Sequence, residues 1–135
     1  MILVDTSVWI DLLNGRLGAK VSDDDLLLFA TCGPVVQEVL QGLRETPAHD
    51  AFREAFLALP VLSDPLPLSI FLQAAEIYRQ GRSRGHTIRS STDCLIAAIA
   101  MENKVLVWHK DRDFGTMARY TPLKASERLP STHAG

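Results

Sequence analysis

The chain has 135 residues, 47% of them hydrophobic and 22% charged, enough for one globular domain with a continuous core and too few for two. No stretch reaches the roughly 20 uninterrupted apolar residues that span a bilayer, and the apolar opening Met1–Leu13 lacks a basic leading region and carries Asp5 and Asp11, so it reads as a first core element of a soluble, cytoplasmic protein. The net charge of −2 hides an asymmetry: Met1–Tyr78 holds four basic and eleven acidic residues, the remainder ten and five.

Ile2-Leu3-Val4 is a fully apolar run rich in β-branched residues, followed by Asp5-Thr6-Ser7 and then Val8, Trp9, Ile10, Leu12 and Leu13. That pattern predicts a buried strand, a polar corner and an amphipathic helix stopped by Asn14-Gly15. After Asp23-Asp24-Asp25, the run Leu26–Ala30 has strand length, and Gly33-Pro34 opens a helix over about 35–40 that Gly42 ends. Thr46-Pro47 starts a helix with Phe52, Ala55, Phe56 and Leu59 on one side, closed by Pro60. Val61-Leu62 suits a short third strand, and Ser69 to about Arg82 is helical by the spacing of Ile70, Ala74 and Ile77.

Arg79, Arg82, Arg84 and Arg89 cluster at that helix's exit with no acid between them, which suits either a phosphate-attracting face or a helix end favoured by its dipole. Ser90-Ser91-Thr92 supplies N-cap residues for a central helix through Leu95–Ala100, with Asp93 in its first turn. Val105–Trp108 is another buried strand, ending in His109-Lys110-Asp111-Arg112-Asp113 before Phe114. Cys32 and Cys94 lie in apolar runs without metal-ligand spacing and read as reduced core residues. The alternation of strand and helix predicts an α/β fold in three α/β/α layers, with a central, mainly parallel sheet of four to five strands over residues 1–125 and a flexible tail over 126–135.

In such sheets the ligand site lies beyond the carboxyl ends of the strands. Asp5, Asp93, Asp111 and Asp113 fall at or just past strand-to-helix transitions, and Glu38 lies early enough in its helix to reach the same rim. Each has an ordinary structural use as well, as a helix cap, a first-turn acid, an exposed helix residue or a turn residue. Several carboxylates in one cleft repel one another unless a divalent cation neutralises them, and hard oxygen donors select magnesium, or manganese in its place, over zinc. Such a centre suits phosphodiester hydrolysis.

Four blocks carry a resemblance to a known family: Met1–Ile10, Pro34–Leu43 with Glu38 before a hydrophobic-x-Gly pattern, Asp93–Ala98, and His109–Phe114 with its Asp-x-Asp-Phe corner. In this order they resemble the PIN domain, and in particular the VapC-type toxin ribonucleases. The resemblance implies metal ligation by Asp5, Glu38, Asp93 and Asp111, with Asp113 as a supporting or alternative ligand, and hydroxyl support from Thr6 and Ser7. Arg82, Arg84, Arg89 and Arg112 become candidate grips for RNA phosphates. His109 is a weaker candidate for a general base, since metal-activated water already supplies a nucleophile.

The resemblance further implies the toxin of a type II toxin-antitoxin system. Such a toxin is a magnesium-dependent endoribonuclease that blocks translation by cutting tRNA or mRNA. A VapB-like antitoxin would restrain it and carry the complex to operator DNA. A homodimer is also implied, for which Trp9, Phe52 and Phe56 offer surfaces that core packing explains equally well. The rival reading is a catalytically inactive PIN-like module that binds RNA or a protein.

Overall fold

Ile2–Val4 forms β1, buried on both faces as a short run of three apolar residues at the middle of a sheet must be. In the computed structural model, which describes residues 1–130, it is followed by α1 (Thr6–Leu13), α2 (Asp23–Leu26), β2 (Phe29–Cys32), α3 (Gly33–Gln41), α4 (Pro47–Leu57) and β3 (Val61–Leu62). Then come α5 (Leu68–Ser83), α6 (Ser91–Asn103), β4 (Leu106–Trp108), α7 (Arg112–Met117) and β5 (Ala125–Ser126). The five strands form one parallel sheet in the order β3-β2-β1-β4-β5.

Chain direction reverses at β1: successive strands step outward to β3 on one side, and the chain then returns to β4 and β5 on the other. Right-handed crossovers therefore place α1 and α4 on one face and the α5–α6 pair on the opposite one, giving the expected three layers. Trp9 fixes the first face. It meets Phe29, Phe52 and Phe56 edge-on with centroids 6.0, 5.9 and 5.2 Å away, and its indole N–H donates to the Val4 carbonyl at 3.2 Å. On the other face α6 is apolar nearly all round, and Ile96–Ala100 are wholly buried. α5 lies against it with Ile70 and Ile77 inside. Among the described residues no helix is long and apolar enough to cross a membrane.

Several expectations need correction. The strand expected over Leu26–Ala30 starts at Phe29 and runs to Cys32, because Ser22 and Asp25 form a reciprocal capping box that turns Asp23–Leu26 into helix and leaves Leu27 81% exposed. The expected tail begins inside β5. Past it, the Glu127 carbonyl accepts from Trp108 Nε1 at 3.3 Å and Lys110 Nζ at 2.6 Å, while residues 131–135 lie outside the described part of the chain. Trp9 and Phe56 are core residues rather than a dimer surface, with Phe52 stacked at their edge. Both cysteines are buried and free, as expected.

Emptying this aromatic cluster should be costly whatever the oligomeric state. Phe56→Ala is expected to lose about 3–5 kcal/mol in urea unfolding, by lost burial and the cavity left behind. A loss below about 1 kcal/mol would move Phe56 out of the core.

Candidate metal centre

The centre begins where β1 ends. Asp5 continues the β1–β4 pairing by donating its N–H to the Trp108 carbonyl at 2.9 Å, then caps α1. Its Oδ2 accepts from the Ser7 N–H at 3.0 Å and the Ser7 hydroxyl at 2.5 Å. The same hydroxyl accepts from the Lys110 N–H at 2.9 Å, so Ser7 ties the end of β1 to the corner after β4. Thr6 donates its hydroxyl to Glu38 Oε1 at 2.9 Å and so draws α3 to the same rim.

β4 and α6 supply the other half. Asp93 is buried in the first turn of α6, and Asp111 caps α7 by accepting from the Asp113 N–H at 3.0 Å. Asp93, Asp111 and Asp113 each present a carboxylate oxygen, all within 4.8 Å of one another. Both acids of the last corner thus belong to the cluster. Asp5 stands just outside this triplet yet close enough to raise the pKa of Asp93, and Glu38 acts likewise on Asp5.

Electrostatics record the crowding. Burial raises the pKa of Asp5 despite the opposing hydrogen bonds from Ser7. Asp93 is pushed up to about 9, first by burial and then by Asp111, Asp5 and Asp113. Burial also pulls Asp111 up, but the Asp113 N–H, the Asp93 carboxyl and Arg89 together hold it below the usual carboxylate range. Asp93 therefore keeps a proton that it shares with Asp111, one way of limiting like charge in a tight space. Among the described residues, Asp5 Oδ1 and Asp93 Oδ2 are buried without a hydrogen-bond partner. Unpaired buried oxygens are expensive, and a hard divalent cation bound by several carboxylates would satisfy both. The residues present fit such an ion.

A shallow cleft of about 480 Å³ opens beside the acids, lined by Ser7, Arg89, Lys110, Asp111 and Arg112. Of the four expected arginine grips, Arg89 and Arg112 reach it. Arg82 lies 5.8 Å over the Tyr78 ring and Arg84 6.0 Å over Tyr120, at the exit of α5. Sequence reasoning missed Lys110, although it sits between His109 and Asp111 in the fourth block. His109 is buried against Phe114 with its pKa lowered by burial, and its Nδ1 has no hydrogen-bond partner among the described residues. Cys94 neighbours the acids, but its thiol is pushed up to about 11, by burial first, so it offers no thiolate.

A carboxyl that holds its proton far above pH 3.8 binds more protons folded than unfolded between that value and about 9. Without metal, stability should then be full at low pH and fall as pH rises through this window. In chelator at pH 8, Asp93→Asn is expected to raise the melting temperature by roughly 3–8 °C. The gain should vanish at pH 4; an equal shift at both pH values would deny Asp93 its proton.

The PIN-domain family model matches residues 2–120. The VapC ribonuclease Mb1587 of Mycobacterium bovis and ribonuclease VapC11 of Mycobacterium tuberculosis are each 35% identical over 132 residues, covering 93% of this chain and 98% of the relative. Among solved structures, VapBC2 from Rickettsia felis bound to a promoter DNA fragment shares the fold at a TM-score of 0.68 and 16% identity, over 93% of this chain and 98% of that one. A match over most of the chain, with relatives alike from end to end, shows that the protein belongs to the PIN-domain family, in its VapC branch.

Proposed function

We propose that this chain is a magnesium-dependent endoribonuclease and the toxin of a type II toxin-antitoxin pair. The observation that carries the chemistry is the convergence of carboxylate oxygens from Asp93, Asp111 and Asp113 beside the unpartnered Asp5 Oδ1. Asp5, Glu38, Asp93 and Asp111 would hold the ion, with Asp113 as a further oxygen donor. Bound there, magnesium would supply a Lewis acid for the phosphodiester and an activated water.

The protein's own work is to hold and steer. Ser7 and Thr6 fix Asp5 and Glu38 through their hydroxyls, so each carboxylate keeps one oriented oxygen. Lys110 and Arg112 place positive charge on the cleft beside the acids, where an RNA backbone would otherwise be repelled. Arg82 and Arg84 extend that charge along the exit of α5. Single-stranded regions of tRNA or mRNA fit an open cleft of this kind, and their cleavage would stop translation.

Restraint of this activity falls to a VapB-like antitoxin. A groove of about 550 Å³, lined by Pro34, Gln37, Glu38, Leu66, Phe71 and Leu95, leads from the carboxylate of Glu38 to the exposed ring of Phe71. It suits a segment with apolar side chains and a basic end, and the antitoxin would also bring the complex to operator DNA. Homodimerisation belongs to the same proposal, with exposed Ile10 and Leu12 of α1 as apolar surface in place of the buried Trp9 and Phe56.

The test is cleavage of pooled cellular RNA by purified chain. Discrete cuts are expected with magnesium and none in chelator, with Asp5→Asn or Asp93→Asn at least about 100-fold slower. Ser7→Ala should fall about tenfold, since it leaves the ligands but frees one of them. RNA binding without cleavage in the wild type would replace the enzyme with a binding module.

A further inference from the structure

Arg89 stands out from the other arginines because its charge is already engaged. Its Nη2 lies 3.3 Å from Asp111 Oδ1 and its Nε 3.6 Å from Asp113 Oδ2, which also accepts the Arg89 backbone N–H at 3.1 Å. Arg89 immediately precedes Ser90, the N-cap of α6, and stands four residues before Asp93 in the first turn of that helix. Asp111 and Asp113 belong to the start of α7, more than twenty residues further on. Among the described residues, the hydrogen bonds joining the approach to α6 with the Asp111–Asp113 corner are both made by Arg89. The side chain therefore bridges the two elements whose acids must converge.

The carboxylate oxygens divide accordingly. Asp111 Oδ1 is occupied by the Asp113 N–H and the guanidinium, and Asp113 Oδ2 by the Arg89 N–H and Nε. The second oxygen of each is engaged by neither Arg89 nor the Asp113 N–H. A planar guanidinium can address two carboxylates through two different nitrogens, whereas an ammonium acts as a single point. As an ion pair half open to water, Arg89 would add little to folding stability. Its value lies in orientation.

We propose that Arg89 is a positioning residue of the metal centre, holding Asp111 and Asp113 so that their free oxygens point at the ion, rather than a grip on RNA phosphates. The inference rests on the nuclease reading above. It gives the exposed guanidinium a task that lysine, with the same charge, performs poorly.

The test compares wild type with Arg89→Lys in the full chain, because that change preserves charge and removes the fork. Manganese binding followed by calorimetry is expected to weaken about tenfold. In RNA cleavage kcat should fall while KM stays within about twofold, and melting in chelator should be unchanged. In an Asp113→Asn background the same substitution should have a clearly smaller effect on manganese affinity, since the two residues act through one contact. Wild-type manganese affinity in Arg89→Lys, with or without a raised KM, would overturn the proposal. Failure of the parent reading has a different signature: no manganese binding by the wild type, or binding unchanged in Asp93→Asn.

Discussion

Carboxylates crowded at the rim of an apolar sheet are the constraint around which this chain is arranged. Asp5, Asp93 and Asp113 are all buried, and each ionised group taken from water without a partner raises the free energy of the folded state. The metal-free chain limits that cost in three ways. Asp93 retains a proton, Asp111 and Asp113 share an arginine, and the N–H groups of Ser7 and Asp113 each donate to one carboxylate oxygen, of Asp5 and Asp111 respectively. None of these devices neutralises the whole cluster. A divalent cation would do so at once, and the unpaired Asp5 Oδ1 and Asp93 Oδ2 are the atoms left over for it.

Helix capping and the proposed metal ligation are compatible uses of one geometry here. Asp5 caps α1 and Asp111 caps α7, each accepting an N–H two residues on with one oxygen. A cap holds the carboxylate in a single rotamer and leaves the second oxygen directed away from the helix. The sheet brings those directions together, because β1 and β4 are neighbours and both end at the same rim. The cap is therefore compatible with the proposed ligand role of the same side chain.

The elements legible in the sequence were those with a strong local signal. Ile2–Val4, the Pro-initiated helix at Pro47 and the long apolar α6 could be placed from periodicity and capping residues alone. Most of the missed features depend on tertiary contact. β5 is two residues long, without any pattern of its own, and exists through pairing with Val107 and Trp108. The apolar run at Leu26–Ala30 looked like a strand because three leucines adjoin Phe29, yet the Ser22 cap decides the matter locally. Trp9 and Phe56 could not be assigned to core or surface by composition, since an aromatic stripe serves either purpose. For the site, the acids of the last two blocks do gather at one rim, while the contacts of Arg89 with Asp111 and Asp113, 22 and 24 positions away, leave no local signal in the sequence.

The charge asymmetry of the chain follows from the same constraint. On the proposed function, an anionic centre that accepts a polyanion needs nearby cations, and a cation on the acids themselves must engage oxygens other than those that would hold the metal. The structure separates these tasks in space: Arg89 lies on the acids themselves, Lys110 and Arg112 line the cleft beside them, and Arg82 and Arg84 sit over aromatic rings at the end of α5. Fields from exposed charges decay over about 8 Å at physiological ionic strength. Cations on the cleft can therefore act on a bound backbone, while those at the end of α5 can contribute to its approach or to more distant phosphates. Ten of the fourteen basic residues fall in the second part of the chain, which builds α6, β4 and α7, so most of the positive charge and three of the five acids of the centre come from one contiguous stretch.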